Sequence, residues 1–213
     1  NTQKTPLENL NELRYYTESM YMDLDVVTRR NLELTETMRE KEKKGTLLWV
    51  LDRTVTSMGA RLLKKWVERP LLQPGTIRRR LDAVEALYKN PMPRADLFAA
   101  LRGVADLERL MGRVIYQTAN ARDLCAMAQT LSKVPAVRAA LSPFSAPELI
   151  DLSAQAEDLK DLYDLLLSAL VDEPPLSVRE GGMIRLGYSE ENDALHAIID
   201  DTKGTIVRLE ATE

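Results

Sequence analysis

The sequence is poor in the residues that do chemistry. Its 213 residues include one histidine, His196, and one cysteine, Cys125. A single residue of each kind cannot assemble a structural zinc set, and a lone thiol cannot close an internal disulfide, which suits a reducing cytosolic setting. Aromatic residues make up only 5% of the chain, which speaks against a sandwich or a barrel. No apolar run approaches the roughly 18 residues of a membrane-spanning helix, and Asn1 opens no basic, apolar and small-residue signal pattern. Missing too is any G-x-x-x-x-G-K-[ST] string, the arrangement that lets backbone N–H groups reach phosphates with a lysine and a hydroxyl behind them. Glu180-Gly181-Gly182 and Gly187 are too sparse for that task and read as a turn. There is no repeat of fixed period.

What is present is leucine, alanine and charge, the balance of packed helices. Hydrophobic residues are 45% of the chain and charged ones 29%, with a formal net charge of −4. That average hides an asymmetry: residues 1–116 hold 21 basic and 16 acidic side chains, residues 117–213 hold 8 and 17. The chain as a whole is therefore no generic polyanion binder, and any nucleic-acid contact would be local. The absent initiator methionine suggests an internal piece of a longer protein.

Tyr21 to Leu71 organises the rest, with both tryptophans and the densest apolar spacing. Met22 and Leu24, then Leu32 and Leu34, alternate as in half-buried strands or a tight connection. Met38 to Lys44 is a charged excursion closed by Gly45 before the apolar run Leu47 to Leu51. Thr54, Thr56 or Ser57 can cap a helix with Met58, Leu62, Leu63, Trp66 and Val67 on one face, ended by Pro70.

On either side the pattern is helical. Thr5-Pro6-Leu7-Glu8 has the form of a capping box and predicts a short helix to about Glu18. Pro74 opens a helix carrying Ile77, Leu81, Val84, Leu87 and Tyr88 on one face, broken at Asn90-Pro91. A helical period then runs from Arg94 to Tyr116, with Gly103 and Gly112 as its weak points. Asn120 caps the next helix, with Leu124, Met127 and Leu131 inward and an end near Pro135. Ser145 and Glu148 predict a capping box for a long acidic helix through Leu170, stopped by Pro174-Pro175. Ser177 to Tyr188 reads as an irregular crossing with one short extended segment at Met183 and Ile184. A last helix starts at Ser189, its dipole complemented by Glu190, Glu191 and Asp193, and shows no stop signal by Glu213. Part of its apolar stripe, Leu195, Ile198, Ile199, Ile206 and Leu209, is expected to face a partner outside this chain.

The candidates for chemistry each have a plainer reading. Cys125 sits in an alanine-rich stretch where a small buried thiol is common, and His196 lies on an acidic helix where a solvated imidazole is the default. A hydrolase built from the two requires hydrogen-bond reach between them. Asp161, Asp164 and Asp172 have the spacing of a solvated face rather than a calcium loop. The basic cluster Arg61, Lys64, Lys65, Arg69, Arg78, Arg79 and Arg80 favours a solvated face, or docking of an acidic neighbour, over phosphate contact. Thr28 to Leu34, reading TRRNLEL, puts two arginines, an amide and a carboxylate among leucines. Such groups need partners when partly buried, so the string points to a polar network at a domain junction.

Several strings in one order carry a resemblance: LDVVTRRNLEL, GTLLWVLDRTVTSMGARLLKKW, VERPLL, IRRRLDAVEAL, ADLERLMGRV, ARDL and REGGMIRLGYSEENDAL. Together they resemble the core domain of the MutS family of DNA mismatch-repair proteins, across nearly the whole chain. Asn192 departs from the pattern, standing where the family usually has an apolar residue. The resemblance implies an all-α, irregular multi-helix bundle with a protruding C-terminal lever helix, and at most a few short strands near residues 22–34 and 178–185. It divides the chain into a core, residues 1–188, and the first part of a lever, residues 189–213. The implied parent protein binds mismatched double-stranded DNA, uses ATP and magnesium, and pairs with a second subunit in the cytoplasm of a bacterium. Connector, clamp and ATPase domains would adjoin this segment, which holds no catalytic, cofactor or metal residue of its own. Arg29, Arg30, Asn31, Glu33, Trp49, Asp52 and Trp66 are its interdomain and structural candidates. The competing reading is a freestanding helical protein-protein interaction module.

Overall fold

Helix-capping side chains and breaks, more than long periodic stripes, set the architecture. The structure, a computed structural model, describes residues 20–210, so the helix expected from Thr5 to Glu18 lies outside the described residues. All of the regular structure described is helical; the only extended pairings among the described residues are two isolated bridges, Tyr21 with Leu71 and Leu170 with Ile184. The chain forms two compact units, residues 20–54 with 59–85 and residues 55–58 with 86–210.

In the first unit Met22, Leu24, Leu32 and Leu34 form no strand but lie in the connections on either side of a short helix, α1 (Val26–Asn31). The Asp25 carboxylate accepts from the Thr28 N–H at 2.6 Å and satisfies an orphan donor of its first turn. The apolar run after Gly45 is α2 (Leu47–Leu51), capped by Thr46. Then come α3 (Ser57–Glu68), ending before Pro70 as expected, and α4 (Pro74–Lys89). The Tyr21 bridge is held by Met22 N–H to Pro70 O at 2.8 Å and Leu72 N–H to Met20 O at 3.1 Å.

The apolar face expected on α4 is divided. Ala83 is buried and Ile77 and Leu87 half-buried, whereas Leu81, Val84 and Tyr88 are 60, 61 and 76% exposed. Arg80 lies with its guanidinium 3.7 Å from the centre of the Trp66 ring. This cation-π contact ties α4 to the Trp66 ring of α3.

In the second unit the single period from Arg94 to Tyr116 resolves into α5 (Pro91–Leu101) and α6 (Leu107–Ile115). Gly103 marks the break at φ +74°, a conformation that glycine alone adopts cheaply. Lys133 Nζ, bonded to the Arg102 carbonyl at 2.7 Å, lies where a side chain on Gly103 would go. α7 (Ala121–Leu131) carries the expected Asn120 cap as a full capping box with Asp123. It ends before Pro135, which sits instead in the first turn of α8 (Val134–Leu141), where no N–H is needed.

The long acidic helix is likewise two: α9 (Pro147–Gln155) and α10 (Lys160–Ala169). Its expected capping box is absent, since Ala146 occupies the cap position with no side-chain bond. The crossing after Pro175 holds one 3-10 turn, Val178–Glu180, before α11 (Glu190–Glu210). Helix α7 packs on α6 and α10, α5 on α8, and α8 on α9. The core against α7 consists of Leu110, Met127 and Leu131, closed by Leu107, Leu162, Tyr163 and Leu166. No helix among the described residues is long and apolar enough to cross a membrane.

Candidate functional site

The seven residues singled out from the sequence all fall in the first unit, in a frame built from short polar bonds. Arg29, in the last turn of α1, turns its Nε back to the Leu24 carbonyl at 2.7 Å, while its own carbonyl accepts from Leu34 at 3.3 Å. Arg30 holds the turn through its carbonyl, which accepts from Glu33 N–H at 3.1 Å; its side chain and that of Asn31 are exposed. Glu33 adopts φ +45°, and this reversal lets it serve two elements. Its Oε1 accepts from Met38 N–H at 2.7 Å and its carbonyl from Leu47 N–H at 3.2 Å, tying the charged excursion to α2.

Thr46 completes the frame and was not apparent in advance. Its hydroxyl accepts from Trp49 N–H at 3.2 Å and donates to Lys43 O at 2.7 Å, and the residue is 1% exposed. Glycine followed by threonine before an apolar run is the capping signal that could have revealed it. The Trp49 ring remains half exposed. Asp52 accepts from Lys43 Nζ at 2.5 Å and from the Thr54 hydroxyl and N–H at 2.7 and 3.2 Å. The Lys43 bond first, then those from Thr54, hold its carboxyl at about 2, below the ordinary 3.8. A carboxylate that firmly ionised is an anchor, not a general acid near neutrality.

Two members of the basic cluster have partners within the unit. Arg80 is drawn onto Trp66, and Lys64 pairs with Glu68 at 3.8 Å. In the second unit the Cys125 thiol donates to the Val171 carbonyl at 3.6 Å. Burial, then the Asp172 carboxylate, push its pKa up, the opposite of what a nucleophilic thiol requires. His196 sits half-buried on α11, with no hydrogen bond to Cys125 among the described residues. Nor do three or more His, Cys, Asp or Glu side chains converge as metal ligands among the described residues. The glycine pair fits no nucleotide: Gly181 N–H is bound to Val178 O, and Met183 and Ile184 stand where a phosphate loop needs a lysine and a hydroxyl.

Three arginines of the second unit also escaped the sequence reading because their partners are far along the chain. Arg113 pairs with Asp123 at the start of α7, Arg122 Nε donates to Pro174 O at 2.8 Å, and Arg185 reaches the end of α10. All of these groups hold helix ends and connections, the work of a scaffold.

The chain is similar along its length to known proteins. The family model for MutS domain III matches residues 27–212. The DNA mismatch repair protein MutS of Brevibacillus brevis is 48% identical over 212 residues, covering 100% of this chain and 25% of the relative. That of Symbiobacterium thermophilum is 49% identical over 210 residues, with 99 and 24% covered. The protein of the same name from Ruminiclostridium cellulolyticum is 45% identical over 212 residues, with 100 and 24% covered. The chain thus spans about a quarter of the length of the curated relatives it matches. An all-helical scaffold, matched along its whole length at this identity, belongs to the MutS family of DNA mismatch repair proteins and corresponds to its domain III.

Proposed function

We propose that this chain is the mechanical middle of a mismatch-repair ATPase. Residues 1–188 serve as the core and residues 189–213 as the first part of a lever that couples DNA gripping to the nucleotide site. The observation that carries this reading is α11, whose Leu195, Ile198 and Ile199 are 55, 63 and 50% exposed on one helix. At 21 residues that helix is about 31 Å long, and a rigid rod of this kind carries rotation between distant sites. The exposed Leu47, Trp49, Val50 and Leu51 of α2 offer a second surface for neighbouring domains. Mismatched duplex DNA, a second subunit, ATP and magnesium are partners of the full-length cytoplasmic protein, bound by its connector, clamp and ATPase segments.

The test uses the full-length protein with Leu195→Asp and Ile199→Asp together. The expected outcome is that the stimulation of ATP turnover by mismatched DNA falls about fivefold or more, with turnover in the absence of DNA retained. Unchanged stimulation, or ATP hydrolysis by residues 1–213 alone, overturns the reading. A freestanding interaction module would use the same stripe to hold a partner helix. It predicts instead a stable complex of residues 1–213 with that partner, lost in the same double variant.

A further inference from the structure

The last turn of an α-helix leaves carbonyls without partners inside the helix. At the end of α10 they are taken by one residue of the crossing. Arg185 N–H donates to Ala169 O at 2.9 Å, and its Nε is shared between Leu167 O at 3.2 Å and Leu170 O at 3.0 Å. Its Nη2 pairs with Asp172 at 2.8 Å. Val171 N–H to Met183 O at 3.1 Å and the bridge of Leu170 with Ile184 complete the strap. A guanidinium at this position also meets the negative end of the helix dipole.

On its other side Arg185 leads directly into α11. Its carbonyl accepts from Tyr188 N–H at 3.2 Å, and Gly187 N–H donates to Asp193 Oδ2 at 2.8 Å, within the first turn of α11. Short bonds therefore join the first turn of α11 to the last turn of α10 with Arg185 between them. Helix α10 passes any load onward, since its Tyr163 and Leu166 pack into the cluster of Met127 and Leu131 on α7.

We propose that Arg185 is the positioning residue that delivers rotation of α11 to α10 and α7, an inference that rests on the lever reading of α11. Alanine keeps the backbone bond to Ala169 but releases the carbonyls of Leu167 and Leu170, so α11 pivots without moving α10. Glutamine keeps an uncharged donor of shorter reach and falls between the two.

The experiment measures ATP turnover of the full-length protein with and without mismatched duplex DNA, together with hydrogen exchange of peptides spanning residues 165–190. Arg185→Ala is expected to lower the stimulation ratio about three- to tenfold, with Arg185→Gln intermediate. Basal turnover and affinity for the mismatch stay unchanged, and exchange at the end of α10 speeds up. Asp172→Ala, which removes only the ion pair of an exposed carboxylate, leaves the ratio within about twofold. Wild-type protein whose turnover ignores the mismatch overturns the lever reading and this proposal with it. Wild-type protein that responds, beside an Arg185→Ala variant that responds equally, overturns this proposal alone. A variant that melts earlier while keeping the wild-type ratio also overturns it, since that is the mark of a merely structural residue.

Discussion

Residues 33–54 and the helices α6, α7 and α10 reach order by opposite means. In the first region the buried side chains are Leu34, Thr46 and Leu48. The path is fixed by polar bonds: Leu47 and Leu48 N–H to the carbonyls of Glu33 and Leu34, Thr37 N–H to Glu42 O, and Lys43 to Asp52. Around α7 the balance shifts, because Leu110, Met127 and Leu131 bury against Leu162, Tyr163 and Leu166, with one buried hydroxyl, Thr130, accepting from Ala105 N–H beside them and other polar groups at the helix ends. An apolar cluster loses stability with each methylene removed, since the space closes only in part. A polar frame fails differently, when a buried donor or acceptor is stranded. The two regions should therefore respond to different substitutions.

The largest effect is expected in the apolar cluster. Leu131 is 6% exposed at its centre, so Leu131→Ala should cost about 3 kcal/mol, read as a lower midpoint in chemical denaturation of the chain. A loss below about 1 kcal/mol would mean the surrounding helices collapse into the gap, and the cluster is not the rigid body described. In the polar frame the sensitive change keeps shape and removes the hydroxyl. Thr46→Val strands Trp49 N–H and leaves Lys43 O with only the backbone bond from residue 46, and should cost about 1.5 kcal/mol, with Thr46→Ser restoring part of it. A midpoint that ignores Thr46→Val would show that the frame does not depend on this group.

The same contrast explains what was legible in the sequence. Helices with a plain capping signal were readable, as at Asn120, and the all-helical class followed from leucine and alanine content. Boundaries failed where a break carries no proline in the right place. Gly103 divides what looked like one helix through its positive φ, and Lys133, far along the chain, occupies the space a side chain there would need. The acidic stripe through Leu152 and Leu159 kept its period across the end of α9 at Gln155, so period alone could not show the gap. Between Leu24 and Leu32 the short helix α1 was not legible, because alternation over a short run says nothing of the residues between, and the Asp25 cap starts it. Of the candidate site, Arg29, Arg30, Asn31 and Glu33 were visible as odd polar groups among leucines, but neither their bonds nor Thr46 were. Arg185 gave no signal at all, because its role exists only once the crossing returns to α10. Asn192 was visible as a departure from the family pattern, and its Nδ2 is buried without a partner among the described residues, a local cost the apolar alternative would avoid.

The smallest effect separates the two regions by pH. Asp52 is ionised in the folded chain down to about 2, below its ordinary 3.8, and its side chain is only 15% exposed. A carboxyl whose folded value is depressed contributes stability that is fully present above the unfolded value and is lost as pH falls through the folded one. The contribution of Asp52 is therefore intact at neutrality, begins to fade as pH drops below the ordinary value, and is gone near the bottom of that window. In thermal melts across this range wild-type protein should lose more stability than Asp52→Asn, which has no proton to gain and starts from a lower melting temperature at neutral pH. Added salt should narrow the gap without closing it, since it screens the Lys43 charge but leaves the two Thr54 bonds in place. Parallel slopes for the two proteins would overturn the assignment of Asp52 as an anchor. The Leu131→Ala deficit should stay constant over the same range, because no ionisable group belongs to the buried centre of that cluster.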